Sequence, residues 1–116
     1  MQPESRKYLW DALDAANAIV EFVEGKSWDE FAQSRVLGSA IERQFEVIGE
    51  ALGLLAKSDP ETARRIPNLR RAIDFRNVLI HGYASVDKTI VWRAIHQSLP
   101  QLRATLEALL REPPSM

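Results

Sequence analysis

Four polar side chains lie within eight residues in the stretch RNVLIHGY, from Arg76 to Tyr83. Arg76, His81 and Tyr83 follow the spacing R-x-x-x-x-H-x-Y, and Asn77 lies beside the arginine. Histidine exchanges protons near neutral pH, and the planar guanidinium of arginine binds phosphate through paired hydrogen bonds. These residue types therefore suit proton transfer beside a phosphate or another anion.

The same stretch also fits the plain end of a helix. A histidine in the last turn interacts favourably with the helix dipole, and Gly82 is a typical residue just after a helix. On a regular helix, His81 lies about 140° round and about 7.5 Å along the axis from Arg76. The two side chains meet only if the last turn is distorted, or if a symmetric dimer brings two copies together, and the sequence leaves both routes open.

Arg76 has an unusual position for a charged residue. With Leu69 at 0°, the apolar stripe of its helix is centred near 0°, and Arg76 falls at about 340°. A guanidinium in a core position is costly unless it is paired. The sequence allows a structural explanation, in which Arg76 reaches solvent or pairs with Glu46 or Glu50, and a functional one, in which it faces an anion site.

The only basic cluster of a slightly acidic chain immediately precedes and includes this arginine. The cluster contains five arginines within thirteen residues: Arg64, Arg65, Arg70, Arg71 and Arg76. It predicts a surface that binds a polyanion or an acidic partner. Surface solubility is an equally simple explanation.

Length and composition limit the alternatives. The 116 residues suit a single domain over 1–116, and the net charge of −1 excludes a wholly basic nucleic-acid binder. The chain has no cysteine and two histidines, so thiolate chemistry is excluded and we expect no metal site. We find no phosphate-binding glycine loop. Without an apolar run of membrane length or a signal peptide, we expect a cytoplasmic protein.

Glycine and proline are few, and apolar residues recur three and four positions apart. This pattern predicts helices throughout the chain. We expect a helix from about Ser5 to Gly25, and a long one from Trp28 to about Lys57 that opens with a Ser27–Glu30 capping box. A short turn at Pro60, a helix that Asn68 caps and that runs to about His81, and a last helix capped by Asp87 and interrupted at Pro100 complete the order.

These elements predict an all-α, antiparallel bundle of four to five helices, with two long helices at its centre. On the second of these, Gly49 and Gly53 form a small-xxx-small pair. Such a pair indicates that another helix approaches closely, either from the same chain or from a second subunit.

The motif and its frame resemble a known family. RNVLIHGY is similar to the R-x(4–6)-H motif of HEPN domains, and specifically to the R-x-x-x-x-H-x-Y form of the HepT-like toxins. The segments YLWDALDAANAIVEFVEG, IERQFEVIGEAL and IPNLRRAIDFRNVLIHGYASVD fall in the order typical of that family, over roughly residues 8–110. The resemblance implies a HEPN-like bundle that forms homodimers, with the motif at the dimer cleft.

The resemblance also implies a function. It implies a metal-independent endoribonuclease that needs no cofactor, with Arg76 as the phosphate clamp, His81 as the acid and base, and Asn77 in support. Arg70 and Arg71 would contact RNA. It further implies a toxin neutralised by an MNT-type nucleotidyltransferase antitoxin, which in some pairs uses ATP to transfer AMP to the motif tyrosine, here Tyr83.

A second hypothesis stays open beside the ribonuclease. Related helical domains serve only as binding partners, so the chain would then be a non-catalytic subunit of a nucleotidyltransferase complex. A third hypothesis makes the chain a structural dimer in which the motif only ends a helix.

Overall fold

Seven α-helical segments and one π-helical turn form the fold in the computed structural model, which describes residues 1–82 and 86–113. No strand occurs in these two ranges. The all-α prediction is therefore confirmed. The segments, in chain order, are α1 (Ser5–Val23), α2 (Trp28–Gln33), α3 (Arg35–Ser58), α4 (Pro60–Ala63), α5 (Leu69–His81), α6 (Lys88–Arg93), the π turn (Ala94–Ser98) and α7 (Leu99–Arg111).

The long helices alternate in direction, as contacts between their ends demonstrate. Ser5 at the start of α1 donates a hydrogen bond to Asp59 just after α3, so α1 and α3 are antiparallel. Arg6 donates to the carbonyl of Leu110, so the end of α7 also lies beside the start of α1. Apolar faces of α1, α3 and α7 enclose the core between them, which includes Leu9, Ile19, Ile41, Leu52, Leu55 and Leu106, all fully buried.

One predicted helix is divided in two. The sequence predicts continuous helix from Trp28 to about Lys57, whereas Ser34 is extended (φ −98°, ψ 108°) and separates α2 from α3. The Ser34 hydroxyl accepts a hydrogen bond from the Leu37 amide and so caps α3. Lys88, which begins α6, donates to the carbonyls of Phe31, Ala32 and Ser34 and satisfies the end of α2. The break is therefore stabilised from a distant part of the chain.

The other predicted helix boundaries fall close to the observed ones. The Ser27–Glu30 capping box is present, Pro60 occupies the first turn of α4, and Asp87 caps α6 through the Thr89 amide. Asn68 does precede α5, but it adopts a left-handed conformation (φ 62°) and its side chain caps nothing. The predicted side-chain cap at this position is wrong.

Pro100 interrupts the regular α-helical hydrogen bonding of the last helix, as predicted. The chain nevertheless remains helical before and after it. Pro100 lacks an amide hydrogen and clashes with the preceding turn of an α-helix. The chain widens into the π turn Ala94–Ser98 directly before Pro100, and α6 and α7 lie on either side of this turn. A π turn accommodates the proline with a local change of register.

A buried carboxylate joins the start of α1 to the start of α4. Asp59 is 6% exposed, and its oxygens accept four hydrogen bonds, from the Gln2 amide, the Ser5 hydroxyl and the amide and hydroxyl of Thr62. Burial acts to raise the pKa of Asp59, but these hydrogen bonds outweigh it and hold the pKa well below its ordinary value of 3.8. The ionised form therefore belongs to the native fold.

No helix in the described part of the chain combines the length and the apolar character that a membrane crossing requires.

Replacing Asp59 by alanine is expected to destabilise the protein by about 2–4 kcal/mol, because buried donors lose a charged acceptor. The depressed pKa makes this contribution fully present above pH 3.8, and it is lost as the pH falls towards the folded-state pKa. Urea unfolding of Asp59→Ala and wild type at pH 7 and at pH 3 measures both effects. The exposed Asp14→Ala is the matched control, and an equal loss in both variants would contradict the role of Asp59.

Candidate active site on the fifth helix

The motif helix α5 covers one side of the bundle. It packs chiefly against α3, and none of its residues is fully buried. Because α5 follows α3 through the short α4, it runs back along α3 in the opposite direction. One face of α5 therefore contacts α3, and the other carries Asn77 and His81 towards solvent.

The contact between α5 and α3 is closest at Gly49, where there is no room for a side chain. A Cβ atom placed on Gly49 would lie 2.2 Å from the Cβ of Arg76 and 2.8 Å from the carbonyl oxygen of Ala72. The predicted close approach of another helix is thus confirmed at Gly49, and the helix belongs to the same chain. A Cβ atom placed on Gly53, by contrast, would meet nothing within 4 Å among the described residues.

This contact holds Arg76 half-buried, as its place in the apolar stripe predicts. Its Nη1 donates to Asn77 Oδ1 at 3.3 Å, whereas its Nε is buried and has no hydrogen-bond partner in the described ranges. The suggested pairing of Arg76 with Glu46 is not present. Glu46 instead pairs with Arg43, whose Nη1 lies 3.7 Å from Glu46 Oε1. Glu50 is exposed and forms no ion pair with Arg76. A guanidinium without a carboxylate partner remains available to an anion.

His81 is the last residue of α5, and it is exposed. The helix stays regular to this point, because the Gly82 amide donates to the Val78 carbonyl at 2.8 Å. Gly82 has φ −77°, so the helix ends without a left-handed residue. Arg76 and His81 therefore keep their separation of about 140°. Distortion of the last turn therefore does not bring Arg76 and His81 together. The predicted modification target, Tyr83, lies outside the described residues.

Lys88, seven positions after His81 in the chain, has a structural role that the sequence did not indicate. Its ammonium group, held by the three carbonyls of the α2–α3 junction, fixes the start of α6 shortly after the motif. Lys88 also interacts electrostatically with Glu42 on α3. Burial raises the pKa of Glu42, the positive charge of Lys88 acts to lower it, and the negative charge of Glu46 raises it further. α5 thus contacts α3 before the segment that contains Tyr83, and Lys88 binds the α2–α3 junction after it.

The arginine cluster divides between paired and free side chains. Arg65 forms an ion pair with Glu112, near the end of α7. The side chains of Arg70 and Arg71 are exposed and make no hydrogen bond or ion pair within residues 1–82 and 86–113. They lie on the same helix as Arg76 and His81, so the positive charge of α5 faces solvent.

Apolar side chains also reach solvent beside His81. Val78 is 57% exposed and Ile80 is 42% exposed. Isolated apolar residues on a surface are ordinary, and these two lie in the last turn of the motif helix, on nearly opposite sides of it. α5 thus exposes both positively charged and apolar side chains.

Comparison with known proteins identifies the family. The family model described as Ribonuclease HepT-like matches residues 12–109. The chain belongs to the HepT-like ribonuclease family. Its motif helix α5 and most of the bundle lie inside the matched range.

Relatives of similar length support the assignment. Putative RNase TTE0752 of Caldanaerobacter subterraneus subsp. tengcongensis is 32% identical over 92% of this chain and 95% of its own. Probable ribonuclease HepT of Thermococcus cleftensis is 30% identical over 94% of this chain and 98% of its own. Putative RNase MJ1380 of Methanocaldococcus jannaschii is 28% identical over 88% of this chain and 93% of its own. No solved structure matches this HepT-like chain significantly.

Among the described residues, no three side chains of the metal-binding types lie together.

Adding one methyl group at Gly49 is expected to destabilise this HepT-like protein and to displace Arg76. Gly49→Ala forces α5 away from α3 and should cost about 1–3 kcal/mol, as measured by urea unfolding. Gly53→Ala, on the same helix, meets no neighbour and should stabilise the protein by about 0.5–1 kcal/mol. A stabilising effect of both substitutions would contradict the close contact.

Proposed function

We propose that the protein is a metal-independent endoribonuclease that cleaves RNA through attack of the 2′-hydroxyl on the adjacent phosphate. The observation that carries the proposal is the guanidinium of Arg76, which is half-buried on the motif helix of a HepT-like ribonuclease and has no carboxylate partner among the described residues. A cation left unpaired at a partly buried position supports a role in binding an anion. His81 lies on the same helix and supplies the proton transfer that this chemistry requires.

The reaction needs three contributions from the protein. His81 removes the 2′-hydroxyl proton, and the 2′-oxygen then forms a bond to phosphorus. Arg76 binds the phosphate oxygens and stabilises the negative charge that grows on them. The bond to the 5′-oxygen breaks, and a protonated histidine returns a proton to that oxygen. The products are a 2′,3′-cyclic phosphate and a 5′-hydroxyl end, and no metal ion is required.

The active unit in this proposal is a homodimer. Because α5 is regular through His81, Arg76 and His81 of one copy point in directions about 140° apart. A two-fold axis beside α5 would bring Arg76 of one copy near His81 of the other, and so build two sites in one cleft. The exposed Val78, which lies about 60° from His81 round α5, supports this arrangement, since a dimer contact on that side would cover it. Arg70 and Arg71 would then line the approach of the RNA backbone.

We further propose that the ribonuclease acts as a toxin in the cytoplasm. Its partner would be an MNT-type nucleotidyltransferase antitoxin that uses ATP to attach AMP to Tyr83. An adenylyl group two residues after His81 would add bulk and negative charge where the RNA phosphate must bind. This provides a direct chemical reason for silencing.

Removal of either motif side chain is expected to abolish RNA cleavage. In EDTA, His81→Ala should lower the rate by about 10²–10⁴-fold, and Arg76→Ala by about 10²–10³-fold. His96→Ala and Arg35→Ala are the matched controls, because both residues are exposed and lie outside the motif. Cleavage of a labelled RNA, with product ends identified by mass spectrometry, measures the effect.

Two results would count against this proposal. Full cleavage by a folded His81→Ala protein would remove histidine from the mechanism. Absence of cleavage by the wild type, together with a stable complex with a nucleotidyltransferase, would instead favour a non-catalytic binding subunit.

Modification of Tyr83 gives a separate prediction for the toxin proposal. Expression of the wild type alone should stop growth, and co-expression of the neighbouring nucleotidyltransferase should restore growth and add one AMP to Tyr83. Tyr83→Phe should stay toxic when the partner is present, because phenylalanine has no hydroxyl to modify. Rescue of Tyr83→Phe by the partner would mean that silencing does not depend on this tyrosine.

A further inference from the structure

An apolar pocket of about 220 Å³ lies between α5 and the stretch formed by the π turn and α7. α5 packs chiefly on α3, so a gap remains along its other edge. Ala72 and Phe75 of α5 form one wall, Phe45 of α3 forms the floor, and Ala94 and Leu99 form the opposite wall. This pocket does not contain Arg76 or His81.

Two phenylalanine rings lie among the apolar side chains that line the pocket. The rings of Phe45 and Phe75 meet edge to face, with centroids 5.1 Å apart and planes at 69°. This pair keeps the two rings in a fixed orientation, and both line the cavity. A flat aromatic ligand would find a complementary ring surface there.

The mouth of the pocket carries polar side chains that are not used by the fold. Asn68, Arg71, Ser98 and Gln101 line the cavity, and all four are exposed. Their side chains make no hydrogen bond within residues 1–82 and 86–113. Asn68 also has the left-handed backbone conformation, and its side chain does not cap α5. The mouth thus offers two amides, a hydroxyl and a guanidinium to a ligand.

We infer that this pocket binds one unstacked nucleobase of the RNA substrate, an inference that rests on the proposed function. The volume is below the roughly 300–1,000 Å³ of sites for drug-sized ligands, so a single base is a suitable occupant. Proteins recognise single-stranded RNA by stacking splayed bases on aromatic rings and by hydrogen bonds to base edges. Phe45 and Phe75 provide the rings, and Asn68 and Gln101 provide the edge contacts.

Charge and position agree with this occupant. Arg71 at the mouth has no acidic partner among the described residues, and it suits the phosphate attached to the bound nucleoside. Arg71 precedes Arg76 by five residues, which is about 7.5 Å along the helix axis and about 140° round it. The pocket and the phosphate that Arg76 would bind are therefore two separate contacts of one short RNA that passes round α5, and the pocket would select which bond is cut.

An apolar side chain of a protein partner fits the interior but not the mouth. Such a side chain would cover the amides of Asn68 and Gln101 without replacing their hydrogen bonds to water, which is unfavourable. A nucleobase satisfies these groups through its own donors and acceptors. The observations therefore favour RNA, and protein contact becomes an outcome of the test.

Filling the pocket provides the experiment. Ala94→Phe places a ring inside the cavity, whereas Ala104→Phe puts the same ring on an exposed position outside it. The ligands are 2′-O-methyl RNA tetranucleotides, which lack the attacking hydroxyl and stay intact. Ala94→Phe is expected to weaken their binding about tenfold or more, and Ala104→Phe should bind like the wild type. In the wild type, amide NMR shifts caused by the RNA should include Phe75 and Gln101.

Cleavage gives the second readout. On RNAs that differ only in the bases next to the cut, the wild type should show a base preference that Ala94→Phe loses. If Ala94→Phe does not fold, Gln101→Leu replaces it, since this exposed change removes an edge contact and should alter the preference. Equal binding and equal preference in wild type and pocket variants would overturn the inference while cleavage itself supports the proposed function.

Two further outcomes distinguish a failure of the pocket inference from a failure of the proposed function. If the wild type cuts no RNA, the proposed function fails, and the tetranucleotide titration still decides whether the pocket binds a base. Pocket shifts that follow protein concentration, and not added RNA, would assign the pocket to protein contact and would overturn the inference.

Discussion

The close contact of α5 with α3 at Gly49 determines where the motif arginine lies. With no side chain at this position, the backbone of α5 comes near enough for Arg76 Cβ and the Ala72 carbonyl to occupy the space that a methyl group would need. The base of the Arg76 side chain is then buried, with its Nε unpaired in the described part of the chain. A half-buried cation without a carboxylate is unfavourable in the folded chain alone, and an anionic ligand would offset that cost.

The rest of the bundle keeps α5 in this place. At one end, Asp59 joins the start of α1 to α4, the segment that leads into α5. At the other end, Lys88 ties the start of α6 to the carbonyls of the α2–α3 junction. Between these anchors α5 has one contact face, on α3, and leaves Arg70, Arg71 and His81 exposed. The same one-sided packing opens the aromatic pocket beside α7.

Local sequence signals were sufficient for most helix ends and for the unusual position of Arg76. The capping box at Ser27, Pro60 in the first turn of α4 and the interruption near Pro100 follow from backbone chemistry within a few residues. The break at Ser34 could not be predicted in this way, because Lys88 supplies its hydrogen bonds from 54 residues away. The aromatic pocket was missed for the same reason, since its rings, Phe45 and Phe75, lie on different helices. Gly49 and Gly53 are alike in sequence, and only the neighbouring helix distinguishes them.

The central claim, that Arg76 of one copy acts with His81 of the other, is tested most directly by mixing two inactive variants. In a mixed dimer of Arg76→Ala and His81→Ala, one of the two shared sites contains both an intact arginine and an intact histidine. Random exchange of subunits should therefore restore about a quarter of the wild-type RNA cleavage rate. No recovery, although mass spectrometry of the intact complexes detects mixed dimers, would contradict the account.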